Sequence, residues 1–95
     1  MYARVTTFRV DRARLPELAG KITEMSPRAK ALPGLIHAYA AWRADGQGVL
    51  VALYRDKASA DRAVARIQAL WGDLAGLVGA SPRIDAYDNV AHLTA

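Results

Sequence analysis

The chain has no cysteine. Disulfides, thiolate metal sites and thiol nucleophiles are thereby excluded, and the chain suits a reducing compartment, so it reads as cytoplasmic. Histidine is scarce: His37 and His92 stand too far apart to suggest a metal centre, and no glycine-rich phosphate loop follows a strand pattern. No uninterrupted apolar run approaches the ~20 residues of a membrane-crossing helix, and Met1-Tyr2-Ala3-Arg4 leads directly into a strand pattern rather than a secretory leader. Linker composition is also missing, so residues 1–95 read as one domain. Lysine is rare beside arginine, three against ten, and together they set a formal net charge of +4. These cations run from Arg4 to Arg83 among nine acids, with neither a recognition-helix pattern nor a basic run bearing aromatic stacking positions. The expectation is a solvated basic surface and no nucleic-acid partner, with an anionic small molecule left open.

What the chain does have is apolar content: 53% hydrophobic residues and a mean hydropathy of +0.02 in 95 residues. A domain this short buries a full core alone only with difficulty, and association with a second copy helps. Its organising stretch is Pro33 to Asp56, which reads as a β-hairpin. Two runs rich in aromatic and β-branched residues, Leu35 to Trp42 and Val49 to Tyr54, flank Asp45-Gly46-Gln47-Gly48, whose glycines suit the positive φ angles of a tight turn. Neither run alternates strictly, so both hairpin faces need cover.

Tyr2 to Val10 reads as a first strand. Asp11 then caps a helix whose stripe is Leu15, Leu18, Ile22, Met25, Ala29 and Leu32. Pro16 fits its first turn, whereas Pro27 is expected to kink or restart it, with Ser26 as a local cap. After the hairpin, Asp56 to Ser59 leads into a second helix carrying Ala60, Val64, Ile67, Leu70, Leu74 and Leu77, weakened at its end by Gly72, Gly76 and Gly79. Ser81-Pro82 sets up a last strand, Arg83 to Leu93, with Ile84, Ala86 and Val90 on one face and Asp85, Tyr87 and Asn89 on the other. The order β-α-β-β-α-β predicts an α+β, ferredoxin-like domain: a four-stranded antiparallel sheet with both helices on one face. Leu35 with Tyr39, Val49 with Val51 and Leu53, and Phe8 with Val10 are the candidates for the other face. A second copy laid on that face would give a barrel-like homodimer.

Four stretches carry a resemblance: the opening strand, Ala31-Leu32-Pro33-Gly34-Leu35 before the second strand, Leu53 to Asp61 (LYRDKASAD) between the third strand and the second helix, and the closing strand. In these the chain is similar to the antibiotic biosynthesis monooxygenase family of the dimeric α/β-barrel superfamily. The resemblance covers nearly the whole chain, and its motifs mark the fold rather than catalysis. It implies a homodimer with a pocket between sheet and helices in each subunit, and cofactor-free oxygenation of an aromatic quinol-like molecule. Haem-degrading relatives use a strand asparagine near the N-terminus and a histidine on the second helix. Here Thr6 and Thr7 occupy the matching strand region and Ala60 to Leu77 contains no histidine, so haem breakdown is disfavoured.

Cofactor-free oxygenation asks for a dry pocket, a proton acceptor and a donor for the substrate anion. His37 and Tyr39, two apart on one strand face, are the proton-handling candidates, with packing or an interface role as the alternative. Trp42, Tyr54, Arg55, Trp71 and Tyr87 are the substrate-binding candidates. Four of these also have a plain role: packing near the turn for Trp42, core support for Trp71, a surface ion pair with Asp56 or Asp88 for Arg55, and a dimer edge for Tyr87. The alternative function is a non-catalytic dimeric barrel that binds a hydrophobic or anionic small molecule. No cofactor or metal is expected on either reading.

Overall fold

The computed structural model describes residues 1–74, 76–78 and 82–94, with Asp73 described by its backbone alone. Gly79 and Ser81, assigned above to a weak helix end and a strand entry, lie outside the described residues. The elements are β1 (Tyr2–Arg9), a 3-10 turn (Arg12–Arg14), α1 (Leu15–Lys30), β2 (Leu35–Trp42), β3 (Gln47–Tyr54), α2 (Lys57–Leu74) and β4 (Arg83–Tyr87). Every strand pairing is antiparallel, and the four strands lie in the order β2-β3-β1-β4. The expected ferredoxin-like α+β fold is the one observed.

Local chemistry explains the joints, with corrections. Asp11 accepts a hydrogen bond from the Ala13 amide and so caps the 3-10 turn rather than α1, which begins after Arg14 with Pro16 in its first turn. α1 runs unbroken through Pro27, so Ser26 caps nothing. A proline removes the bond to the carbonyl four residues back, here Thr23, and both residues are exposed, where water can take the freed oxygen. In the turn between β2 and β3 only Gly46 has a positive φ, +95°; its amide donates to the Arg43 carbonyl. Gly48 serves differently, because a side chain there would collide with the Phe8 ring on β1.

At the start of α2, the Asp56 carboxylate accepts from the Ser59 amide at 2.7 Å, which holds its carboxyl below the usual aspartate value. A depressed folded value stabilises above the unfolded value and is lost as pH falls through the folded one. Asp56→Ala should therefore lower the melting temperature by a few degrees at neutral pH. Its difference from wild type should vanish in melts taken well below the ordinary aspartate value of 3.8. α2 ends at Leu74, short of Leu77, which instead follows in a turn bonded back to the Leu74 carbonyl. β4 ends at Tyr87 rather than Leu93, because Tyr87 pairs with Ala3 at the start of β1 and little partner strand remains beyond it.

Both helices pack on one sheet face. One cluster gathers Tyr2, Ala52, Tyr54, Leu32, Ala60 and Leu70; the other gathers Phe8, Val10, Leu18, Leu74 and Leu77. The register turns Tyr39, Val49, Val51 and Leu53 to the opposite face, as expected, but Leu35, Phe8 and Val10 belong to the helix side. For Leu35 the cause is a bulge between Leu35 and His37, where Ile36 is an extra residue that shifts the alternation. For Phe8 it is the Trp71 ring on α2, met edge-on at 5.8 Å.

Candidate functional site between sheet and helices

Small side chains on the sheet leave a gap beneath the helices. β2 offers Ala38 and β3 offers Ala52 towards the helix layer, while α1 contributes Ala29 opposite them. The result is a largely enclosed cavity of about 80 Å³, walled by aliphatic groups and by the indole of Trp71. Such a space stays dry, because water needs polar partners to enter it.

Tyr54 lines the same cavity and is the conspicuous exception to its character. It is fully buried, and among the described residues its hydroxyl has no hydrogen-bond partner. A buried hydroxyl left unpaired destabilises a fold, so its retention calls for an explanation. Burial pushes the phenol above its ordinary value, against a smaller opposing pull from Arg4. The folded stability this group permits is therefore complete below the ordinary value of 10.0 and falls as pH rises past it, when the unfolded phenol ionises. At neutral pH Tyr54 is a neutral O–H donor. Arg4 itself is held by the Ala60 carbonyl at 3.3 Å and the Asp61 carboxylate at 3.1 Å, so its charge is fixed beside the α2 entrance.

The cavity adjoins a cleft of about 140 Å³ between α1 and the β2 edge, the two sharing Met25, Ala29, Ala38 and Leu50. Tyr39 stands on that cleft's rim. His37 stacks on Tyr39 with ring centroids 6.0 Å apart and planes at 26°. The pair thus sits at the sheet edge and on the face away from the helices, at the approach to the cavity rather than within it.

Of the other residues singled out from the sequence, Trp71 lines the cavity. Trp42 borders an open hollow at the hairpin end with Thr7, Arg43 and Val49. Arg55 is exposed beyond β3, where its charge adjoins Asp56 and its amide bonds to the Gly34 carbonyl. Tyr87 is half exposed on the face opposite the helices, paired across to Ala3. The residues missed were Ala38 and Ala52, whose contribution is their smallness. The signal was present in β3, where Leu50, Ala52 and Tyr54 occupy successive helix-facing positions and the alanine leaves a gap. Among the described residues no group of three or more histidines and carboxylates gathers as for a metal, and no helix is long and apolar enough to cross a membrane.

No protein-family model matches the sequence, and no curated protein matches it. Solved structures do match. A protein of unknown function from Nitrosomonas europaea superposes with a TM-score of 0.79 at 20% identity, over 99% of this chain and 94% of that one. A variant of SnoaB, a cofactor-independent oxygenase of Streptomyces nogalater, gives 0.77 at 17% identity, over 99% and 97%. A Deinococcus radiodurans protein provisionally named an antibiotic biosynthesis monooxygenase gives 0.81 at 12% identity, over 100% and 98%. The resemblance carried by the strand and turn motifs is thus met in three dimensions: the chain has the fold shared by structures named antibiotic biosynthesis monooxygenases.

Proposed function

We propose that the chain is a cofactor-independent monooxygenase acting on an aromatic quinol-like molecule, with its site in the cavity under Tyr54. The observation that carries this reading is the unpartnered, fully buried Tyr54 hydroxyl beside an apolar space. Such a donor has a use when a ligand brings an oxygen to it. An electron-rich phenol needs no cofactor here: once deprotonated, it reduces oxygen itself and forms a carbon–oxygen bond at the ring. Loss of water then leaves a carbonyl, so one oxygen atom stays in the product and the other leaves as water, both electron pairs coming from the substrate. The chain's task is to bind, dry and orient. Tyr54 donates to the substrate oxygen and stabilises its anion, and the aliphatic walls strengthen that bond by excluding water.

The proton is assigned to His37 and Tyr39, at the cleft mouth. What supports them is Tyr39's position on the rim and the imidazole stacked against it. Trp71 is the aromatic wall. Trp42, Arg55 and Tyr87 stand outside the cavity and take no part in binding the substrate. The likeness to SnoaB supports it through the fold. A homodimer belongs to the proposal as well: Val5, Val49, Val51 and Leu53 share the face opposite the helices, with Tyr39 61% and Tyr87 52% exposed there. Sedimentation at micromolar concentration should give a dimer.

Oxygen uptake and quinone formation with an anthrol test the reaction. The rate is expected to fall with His37→Ala while the dimer persists; no turnover across a broad quinol panel would contradict it. A second reading, a binding protein without catalysis, draws on the cavity lining, which contains neither imidazole nor carboxylate. It predicts thermal stabilisation by ligand without oxygen consumption.

A further inference from the structure

An 80 Å³ cavity is smaller than the roughly 150 Å³ space known to admit a benzene, so an aromatic ligand must also occupy a neighbouring opening. A second opening that adjoins it, wider than the 140 Å³ cleft, is a cleft of about 250 Å³ between the end of α1 and the middle of α2. Leu32 and Leu70 belong to both spaces and are each only 7% exposed, so they form a thin shared wall. The outer cleft differs sharply from the inner one in charge. Arg28 and Arg66 border it, and Arg66 lies one helical turn before Leu70 on the same face of α2. No acid occurs from Arg28 to Gly34 or from Arg62 to Gly72, while Arg28, Lys30, Arg62 and Arg66 all fall in those stretches. Among the described residues no carboxylate pairs with Arg66. The C-terminal carbonyls of α1 oppose an anion nearby, but Lys30 in the last turn offsets them. The chain's net charge of +4 favours anionic ligands in the same sense.

We infer that the ligand is an amphipathic aromatic acid, with its rings passing between Leu32 and Leu70 into the cavity and its carboxylate held at Arg66 in the outer cleft. This deepens the function proposed above and rests on its placing the ligand in the cavity. The division of labour follows from the dielectric. Tyr54, in the dry interior, meets a neutral or phenolic oxygen through one donor. The carboxylate stays half hydrated against a guanidinium, whose planar pair of donors matches its two oxygens.

Calorimetric titration of the full chain with a hydroxynaphthoate and with its uncharged hydroxynaphthamide tests this. The acid should bind wild type about tenfold tighter than the amide, a preference that weakens as salt is added. Arg66→Gln, an exposed position where a circular dichroism melt checks folding, should bring the acid to the affinity of the amide. Equal affinities for wild type, or a preference that survives either Arg66→Gln or high salt, overturns the inference while binding of the amide upholds the cavity. Failure of both compounds to bind overturns the cavity reading and this inference together. Oxygen uptake does not enter the titration, so absent turnover bears on the reaction alone.

Discussion

Tyr54→Phe is expected to melt above wild type and to bind an aromatic quinol more weakly. The two effects have one cause. The hydroxyl is buried without a partner, so its removal relieves a desolvation penalty of about 1–3 kcal/mol and leaves the ring to pack as before. In a domain of this size each kcal/mol moves the melting temperature by about 4–8 °C. A ligand oxygen, however, loses its donor, and affinity should fall by about tenfold or more. Turnover should fall further than binding, because the bond strengthens as the substrate becomes an anion. Calorimetry and thermal melts on the same preparations read both signs. A variant that melts lower, or that binds equally well, would show that Tyr54 is a packing residue only.

Filling the gap should separate the site from the fold in the other direction. Ala52→Leu places a branched side chain in the cavity from the centre of β3. Empty space in a core costs about 24 cal/mol per Å³, so an 80 Å³ cavity represents about 2 kcal/mol of unused packing. Strain from a misfitting branch offsets part of that gain. The variant should melt at or above wild type and lose affinity for a hydroxynaphthalene by about a hundredfold, since ligand and leucine compete for one space. Retained affinity would place the ligand elsewhere. Together the two substitutions distinguish a missing donor, which weakens binding, from a missing volume, which abolishes it.

Much of the fold was legible because it rests on local periodicity. The three-four spacing from Leu15 to Leu32 and from Ala60 to Leu74 identifies helix faces that the structure packs on the sheet, and Gly46 is the turn residue its position demands. Sidedness was less legible. One extra residue at Ile36 shifts the alternation, so Leu35 goes to the helices while His37 and Tyr39 go away from them, and nothing local in that run announces a bulge. The last strand was overextended because Val90 and Leu93 look strand-like, while strand length is decided by the partner, and β1 begins at Tyr2. The kink or restart expected at Pro27 does not occur because its exposure, which makes the lost bond tolerable, is a tertiary property that the sequence does not display.

The site was legible in part for the same reason. Tyr54 and Trp71 stood out by residue type, and both line the cavity. The cavity itself did not stand out, since it comes from alanines on different strands that only the sheet register aligns: Ala38 pairs with Ala52. Arg66 was one arginine among ten until Leu70, common to the cavity and the outer cleft, put the cleft it borders next to the cavity.

The central claim is that ligand enters between sheet and helices, and methyl-resolved NMR of the full chain titrated with a hydroxynaphthalene tests it most directly. The largest shifts are expected at the Ala52, Ala38 and Leu70 methyls, with those of Val5 and Val51 on the opposite sheet face unmoved. Shifts confined to Val5, Val49, Val51 and Leu53 would contradict it, by placing the aromatic on the face turned away from the helices.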